Sequence, residues 1–360
     1  MQVTPRVWEQ VRATRSMQMI KRYFWPVIGA IAVLWSVKIL YDRLRAEACI
    51  DALLESRCDA AGLFERLALI SGVLSQKLAA IPLQGYLLAA LSTFVAYAAL
   101  AWYDRIALMH LHREKKISWA YVSVCSFVTY ALSHNIGASV VSGGMVRLRA
   151  YTAKGLKAAE VAVLVAMCSF TFAFGVVLLG GLLLIYDPDL ADALYDAPRW
   201  MARLAGLCMV GFCGLYGIGS WFRFKPVSIR GLTLEYPSRA IVIRQFIAGP
   251  LELLGAAGII YFALPGSVNP GFIKVLGAFL LSFSAGLLAQ VPGGVGVMEA
   301  VFLKVMPEVS PASVFAALLV WRLLYLVIPL ALSIPVVAMF ERSQLGKASR
   351  EDKNQGSLQP

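Results

Sequence analysis

Two stretches of this chain combine backbone-bending residues with charge. In the first, His134 to Gly155, Ser142, Gly143 and Gly144 precede Arg147 and Arg149. Ser-Gly-Gly can bend the backbone and present N–H groups, and guanidinium groups form paired hydrogen bonds to a phosphate. A helix starting nearby adds its positive end. The set suits a clamp for a phospholipid headgroup, and it equally suits arginines that only hold a topology at a cytoplasmic interface. In the second stretch, Leu287 to Val305, Pro292, Gly293, Gly294 and Gly296 force a non-helical elbow, and Glu299 opens the helical run that follows. A carboxylate there can meet a cationic headgroup or an arginine, or it can stabilise a helix N-terminus.

Isolated ionisable residues stand inside apolar runs: Glu252, shortly after Pro250, and Arg322 in "LLVWRLLYLVIPLAL". A charge at membrane depth is costly and faces a partner or a cavity. Glu252 and Arg322 can pair with each other, or Arg322 can pair with Glu299, and a purely structural ion pair is the competing reading. His134 can titrate, though a lone histidine is more often a packing residue. Asp104 and Arg105 end an apolar run and are expected at the interface, while Lys38 is expected to snorkel. No nucleophile–base set, phosphate-binding loop, dinucleotide fingerprint or metal-ligand spacing occurs, so no catalytic residue, metal or cofactor is assigned.

These residues must be held by membrane elements. Of 360 residues, 59% are hydrophobic, and the mean hydropathy is +0.71. Crossing roughly 30 Å of hydrocarbon takes about 20 apolar residues, and runs near 24–44, 84–104, 158–186, 200–222, 240–264 and 312–340 qualify. Segments near 117–142 and 271–297 are apolar but interrupted by Gly and Pro. Residues 63–80 carry Glu65, Arg66, Gln76 and Lys77 and suggest an amphipathic surface helix. The fold class is an all-α polytopic membrane protein with six full spans and two re-entrant broken-helix segments. The net charge of +12 belongs to cytoplasmic loops facing anionic lipid rather than to nucleic acid.

Lys and Arg clusters at the N-terminus, at 105–116, 147–157 and 223–239, and in the tail assign those segments to the cytoplasm. The acid-rich loops near 47–65 and 187–196 then lie outside. Counting crossings, segment 117–142 starts and ends on the cytoplasmic side, and 271–311 starts and ends on the outer side. The order span, broken segment, span over 84–186 returns over 240–340 in the opposite orientation, the pattern of an inverted repeat with a midplane site. The expected division is a basic segment 1–23, a membrane domain 24–340 and a polar tail 341–360, in a plasma membrane with both termini cytoplasmic. Cys49 and Cys58 share an outer loop and can pair in an oxidising compartment.

Three motifs carry a family resemblance: "SHNIGASVVSGGMVRLRAYTAKGL", "GLLAQVPGGVGVMEAVFL" and "WRLLYLVIPLAL". Together with "AYAALAWYDRIAL" they resemble the lysylphosphatidylglycerol synthase transmembrane region, the flippase part of the multiple peptide resistance factor, over roughly 84–340. That region also occurs in stand-alone inner-membrane proteins. The resemblance implies a bacterial inner-membrane protein moving aminoacylated phosphatidylglycerol or a related lipid between leaflets. After Phe340 only a short polar tail follows in place of the soluble synthase domain of two-part members, so synthase activity is not assigned: a partner supplies it, the chain is cut from a longer one, or the protein moves another lipid. A separate aminoacyl-phosphatidylglycerol synthase and a second copy of the chain are the candidate partners besides phospholipid. Two other readings remain: a membrane-embedded transferase using a lipid-linked donor, with Asp104 or His134 as base, and a non-transporting subunit of a lipid-modifying enzyme.

Overall fold

Helix α2 (Leu83–His110) buries Ala89, Ser92, Ala96, Ala99 and Tyr103, spaced three and four residues apart, and leaves Leu83, Leu87, Leu91 and Phe94 exposed. Small residues on one stripe and large apolar ones on the other are what a helix between protein and lipid requires. The stripe meets α7 (Arg239–Ala263), where a side chain at Gly255 would reach within 2.9 Å of Ala96 N and 3.0 Å of Ser92 O. Because Gly85 lies against Phe262 while the Tyr103 hydroxyl donates to Gly249 O, the two helices are antiparallel.

The computed structural model describes residues 63–136, 139–190, 198–222, 227–229, 232–234, 237–288, 292–340 and 342. The expected span at 24–44, Lys38, Cys49, Cys58, the N-terminal segment and the rest of the tail lie outside the described residues. The remaining elements are α1 (Leu63–Ala79), α3 (Trp119–Ile136), α4 (Ser139–Thr152), α5 (Ala158–Tyr186), α6 (Arg199–Trp221), α8 (Phe272–Leu288), α9 (Val297–Val305) and α10 (Pro311–Phe340). Among the described residues five helices, α2, α5, α6, α7 and α10, are long and apolar enough to cross a membrane. The chain is thus an all-α multi-pass membrane protein. A short antiparallel ribbon, β1 (Val227–Ile229) with β2 (Leu232–Leu234), decorates the α6–α7 loop and was not foreseen from the sequence. Helix α1 is not among the five; it packs on α10 and accepts the Tyr86 hydroxyl at Leu78 O, 3.0 Å away.

Both interrupted segments are helical hairpins. In the first, the Tyr121 hydroxyl near the start of α3 donates to Ala150 O near the end of α4 at 2.7 Å, and Gly143 faces Thr129 and Ser133. In the second, Lys274 near the start of α8 pairs with Glu308, just beyond α9, at 2.8 Å. The first hairpin opens beside the C-terminal end of α2, where Arg113 pairs with Glu160 of α5 at 2.7 Å. The second follows the C-terminal end of α7, which lies beside the start of α2. The hairpins therefore point towards each other. Their inner ends meet alongside α10: Asn135 Nδ2 donates to Leu326 O at 3.1 Å, and α3 packs against the turn Pro292–Gly294. The order long helix, hairpin, long helix thus occurs twice, in opposite directions, with α6 between.

The first break is not where the sequence suggests. Ser142, Gly143 and Gly144 lie inside α4, and the helices part between Ile136 and Ser139. Gly143 serves packing instead, since a Cβ there would be 3.2 Å from Thr129 Cγ2. The second break is a true elbow. Gly293, Gly294 and Gly296 have φ of 61°, 61° and 82°, the left-handed region that L side chains disfavour.

Candidate functional site

The elbow places Glu299 in the first turn of α9. Its Oε2 accepts from Gly296 N at 2.7 Å, and its Oε1 lies 2.6 Å from Arg322 Nη1. Of the pairings the sequence leaves open, Arg322 with Glu299 is the one formed. Glu299 therefore satisfies a helix N-terminus and an intramembrane cation together. The other Arg322 donors, Nε and Nη2, are buried with no hydrogen-bond partner among the described residues. At Arg322 the α-helical ladder of α10 also changes, with a π-helical turn over Leu323–Val327. Such turns recur at functional sites because they re-aim side chains and carbonyls.

The π turn carries Tyr325, whose hydroxyl donates to Glu252 Oε1 at 2.7 Å. Glu252 is 1% exposed, and its Oε2 has no partner among the described residues. The Tyr97 hydroxyl of α2 donates to Tyr325 O at 2.9 Å. His134, at the inner end of the first hairpin, stacks on the Tyr325 ring with centroids 5.5 Å apart. Its Nδ1 is buried without a partner among the described residues, as are Trp321 Nε1 and Ser284 Oγ. Unpaired buried polar atoms are rare in proteins, so their concentration where the two hairpins and α10 meet marks a place built for polar contents.

A second polar cluster adjoins the first. Arg147 is 4% exposed and donates to Asp104 Oδ1 through Nη2 at 2.7 Å and through Nε at 3.1 Å. The Tyr151 hydroxyl donates to Asp104 Oδ2 at 2.8 Å, and the Cys168 thiol donates to Oδ1 at 3.3 Å. The Arg147 guanidinium lies over the Tyr130 ring at 4.8 Å, and Tyr130 packs on His134 at 5.5 Å. The sequence of contacts Asp104, Arg147, Tyr130, His134, Tyr325, Glu252 thus runs unbroken through the interior.

Two expectations need correction. Asp104 does not face a surface: it is fully buried, because Arg147 and Tyr151 arrive from α4 to meet it. Arg147 is not open to a phosphate, since its ion pair with Asp104 already occupies it. Arg149 points elsewhere, onto a cavity of about 300 Å³ lined by Val124, Val128, Met145, Val336 and Phe340 between the first hairpin and the end of α10. Ser142 and Gly144 are half-buried, and Gly144 faces Val165 of α5. Tyr130, Tyr151, Cys168 and Tyr325 were missed as site residues, and Asp104 entered only as a candidate base of the transferase reading. The one signal for Tyr325 is its position three residues after Arg322, on the same helix face.

A family model described as the lysylphosphatidylglycerol synthase TM region matches residues 52–333. The uncharacterized protein slr0712 of Synechocystis sp. is 29% identical over 258 residues, covering 71% of this chain and 80% of that protein. The inner membrane protein YbhN of Escherichia coli is 29% identical over 254 residues, covering 69% of this chain and 77% of its own.

Proposed function

The chain belongs to the lysylphosphatidylglycerol synthase TM region family, and from that premise we propose that it moves a phospholipid headgroup between bilayer leaflets through the cluster where its hairpins meet. The observation that carries this reading is Arg322. Its guanidinium is anchored by Glu299 on one side, and its buried Nε and Nη2 have no partner among the described residues. A zwitterionic or charged headgroup costs several kcal/mol or more in bare hydrocarbon, and prearranged donors and acceptors offset that cost. In this reading Arg322 Nε and Nη2 take the phosphate, and Glu252 takes an aminoacyl ammonium group. His134 and Tyr325 wall the passage.

The hairpins are re-entrant, one from each membrane face, so that each leaflet has its own entry to a common midplane site. Irregular backbone such as the Gly293–Gly296 elbow is tolerated at that depth when it lines a polar site. Acyl chains stay in lipid, and the apolar cavity beside Arg149 suits one of them near the basic face. In this reading both termini are cytoplasmic and the membrane is a bacterial inner membrane, which the charge bias of the loops supports.

The test is leaflet exchange in proteoliposomes containing fluorescent lysyl-phosphatidylglycerol, read by a membrane-impermeant quencher. Protein-dependent exchange is expected, and Arg322→Gln should slow it at least tenfold. Exchange equal to that of protein-free vesicles would overturn the reading. The Arg147→Ala variant is a poor probe, because it strands Asp104 and damages the fold first.

A further inference from the structure

Among the described residues, the buried charges do not balance. Asp104 is neutralised by Arg147, and Glu299 by Arg322. Glu252 is left without a cation among the described residues. The polar and charged groups of this part of the interior can be named element by element, beginning with Tyr216 of α6, whose hydroxyl donates to Gln245 Oε1 of α7. From α2 come Tyr97 and Tyr103, whose hydroxyls donate to the Tyr325 and Gly249 carbonyls. From α10 come Tyr325 and, three residues earlier, Arg322, held by Glu299 of α9. From α3 comes His134, and from α4 Arg147, held by Asp104. From α5 come Cys168, whose thiol donates to Asp104, and Thr171, whose hydroxyl donates to Met167 O. From α8 comes the Phe283 ring, edge-on to His134. Among the described residues only Tyr325 donates to Glu252, and it donates to Oε1 alone.

A carboxylate anion held by one neutral hydroxyl in such a place is costly, because the water that would solvate it is gone. Two states relieve that cost: a proton on Oε2, or a cation beside it. The hydrogen-bond pattern fits the first. With the proton on Oε2, Oε1 is a carbonyl oxygen, the natural acceptor for the Tyr325 hydroxyl.

We propose that Glu252 is a proton-binding site from which the ammonium group of a lipid headgroup displaces the proton. This rests on the headgroup path described above. When the ammonium group arrives, the O–H bond at Oε2 breaks and the proton leaves to whichever aqueous phase the cluster then faces. An N–H···O bond forms in its place. One positive charge enters as one leaves, so the cluster stays neutral in both states. An amine-bearing lipid moving one way therefore carries a proton the other way, and a lipid without an amine displaces none.

The test uses the full chain in nanodiscs and infrared difference spectroscopy of the protonated carboxyl stretch. In phosphatidylglycerol discs a band is expected that Glu252→Gln removes. It should fall at least severalfold when the discs contain lysyl-phosphatidylglycerol. Tyr325→Phe should move it to higher frequency, because the carbonyl loses its donor; this variant serves if Glu252→Gln fails to fold. A spectrum unchanged by both substitutions overturns the proposal, and so does a Glu252 band indifferent to lysyl-phosphatidylglycerol. Leaflet exchange measured on the same protein separates the two readings. Exchange with an indifferent band sinks proton displacement and leaves lipid movement standing. An amine-sensitive band without exchange supports the proton site and sinks lipid movement.

Discussion

Arg322 Nη1 and Glu299 Oε1 lie 2.6 Å apart, and that contact fastens the middle of α10 to the elbow of the second hairpin. The same carboxylate closes the N-terminus of α9 through Gly296 N. Its two roles can be separated. Glu299→Gln keeps an acceptor for Gly296 but loses the charge, whereas Glu299→Ala loses both. Thermal unfolding in detergent should rank wild type above Glu299→Gln and Glu299→Ala lowest. The cap alone is worth about 1 kcal/mol, and equal melting of the two variants would show that it contributes nothing.

Asp104 and Arg147 form the other buried pair, 43 positions apart in the chain. Asp104→Ala strands a buried guanidinium and should cost about 3–5 kcal/mol. The double variant Asp104→Leu, Arg147→Met removes both charges and should recover much of that loss. A double variant no more stable than Asp104→Ala would contradict a neutral, self-contained pair.

Helices α5 and α7 touch backbone to backbone, since a Cβ at Gly175 would lie 2.7 Å from Gly249 C. Gly175→Val should therefore abolish the monodisperse peak in size-exclusion chromatography, the clash being with main chain that cannot step aside. Gly211→Ala on α6 is the control: nothing lies within 4 Å of its added methyl. Replacing a helix-interior glycine there should leave stability equal or raise it by up to about 1 kcal/mol.

At the open end of the second hairpin, the hydrogen bond from Lys274 holds the Glu308 carboxyl below its ordinary range. A carboxyl lowered in the folded state stabilises above its unfolded pKa, and that stability is lost as pH falls through the folded value. The pair is exposed, so solvent screening keeps the contribution under about 1 kcal/mol. Acid titration of thermal unfolding should show a small drop in wild type that Lys274→Met lacks.

The hairpin directions can be read by cysteine labelling in oriented vesicles. Cysteines replacing Lys115 and Lys154, exposed at the open end of the first hairpin, should react with an impermeant reagent from one face. Cysteines replacing Lys274 and Glu308 should react from the other. All four reacting from the same face would refute opposed re-entry.

Much of the architecture is legible without coordinates because it follows from one-dimensional constraints. Hydrocarbon thickness fixes the length of an apolar run, so five of the six expected spans appear close to their predicted limits, the remaining one lying outside the described residues. Left-handed backbone needs glycine, so the elbow at 293–296 is marked by its residues. The Gly143–Gly144 pair misled because glycine permits a bend without imposing one. Packed against Thr129 and Ser133, it continues a helix as readily as any small residue.

Pairing between distant charges is another matter. Chain order placed Asp104 at the end of a span and Arg147 in a basic loop, with nothing to say that the two would pair. Only the fold brings α2, α4 and α5 close enough to bury them together, because an ion pair depends on separation in space and on the loss of surrounding water. The same holds for Glu252, whose apolar sequence neighbours announce a costly charge without saying what answers it. That Tyr325 reaches one of its oxygens and no basic side chain among the described residues reaches the other is decided by how α2, α3 and α10 close around α7.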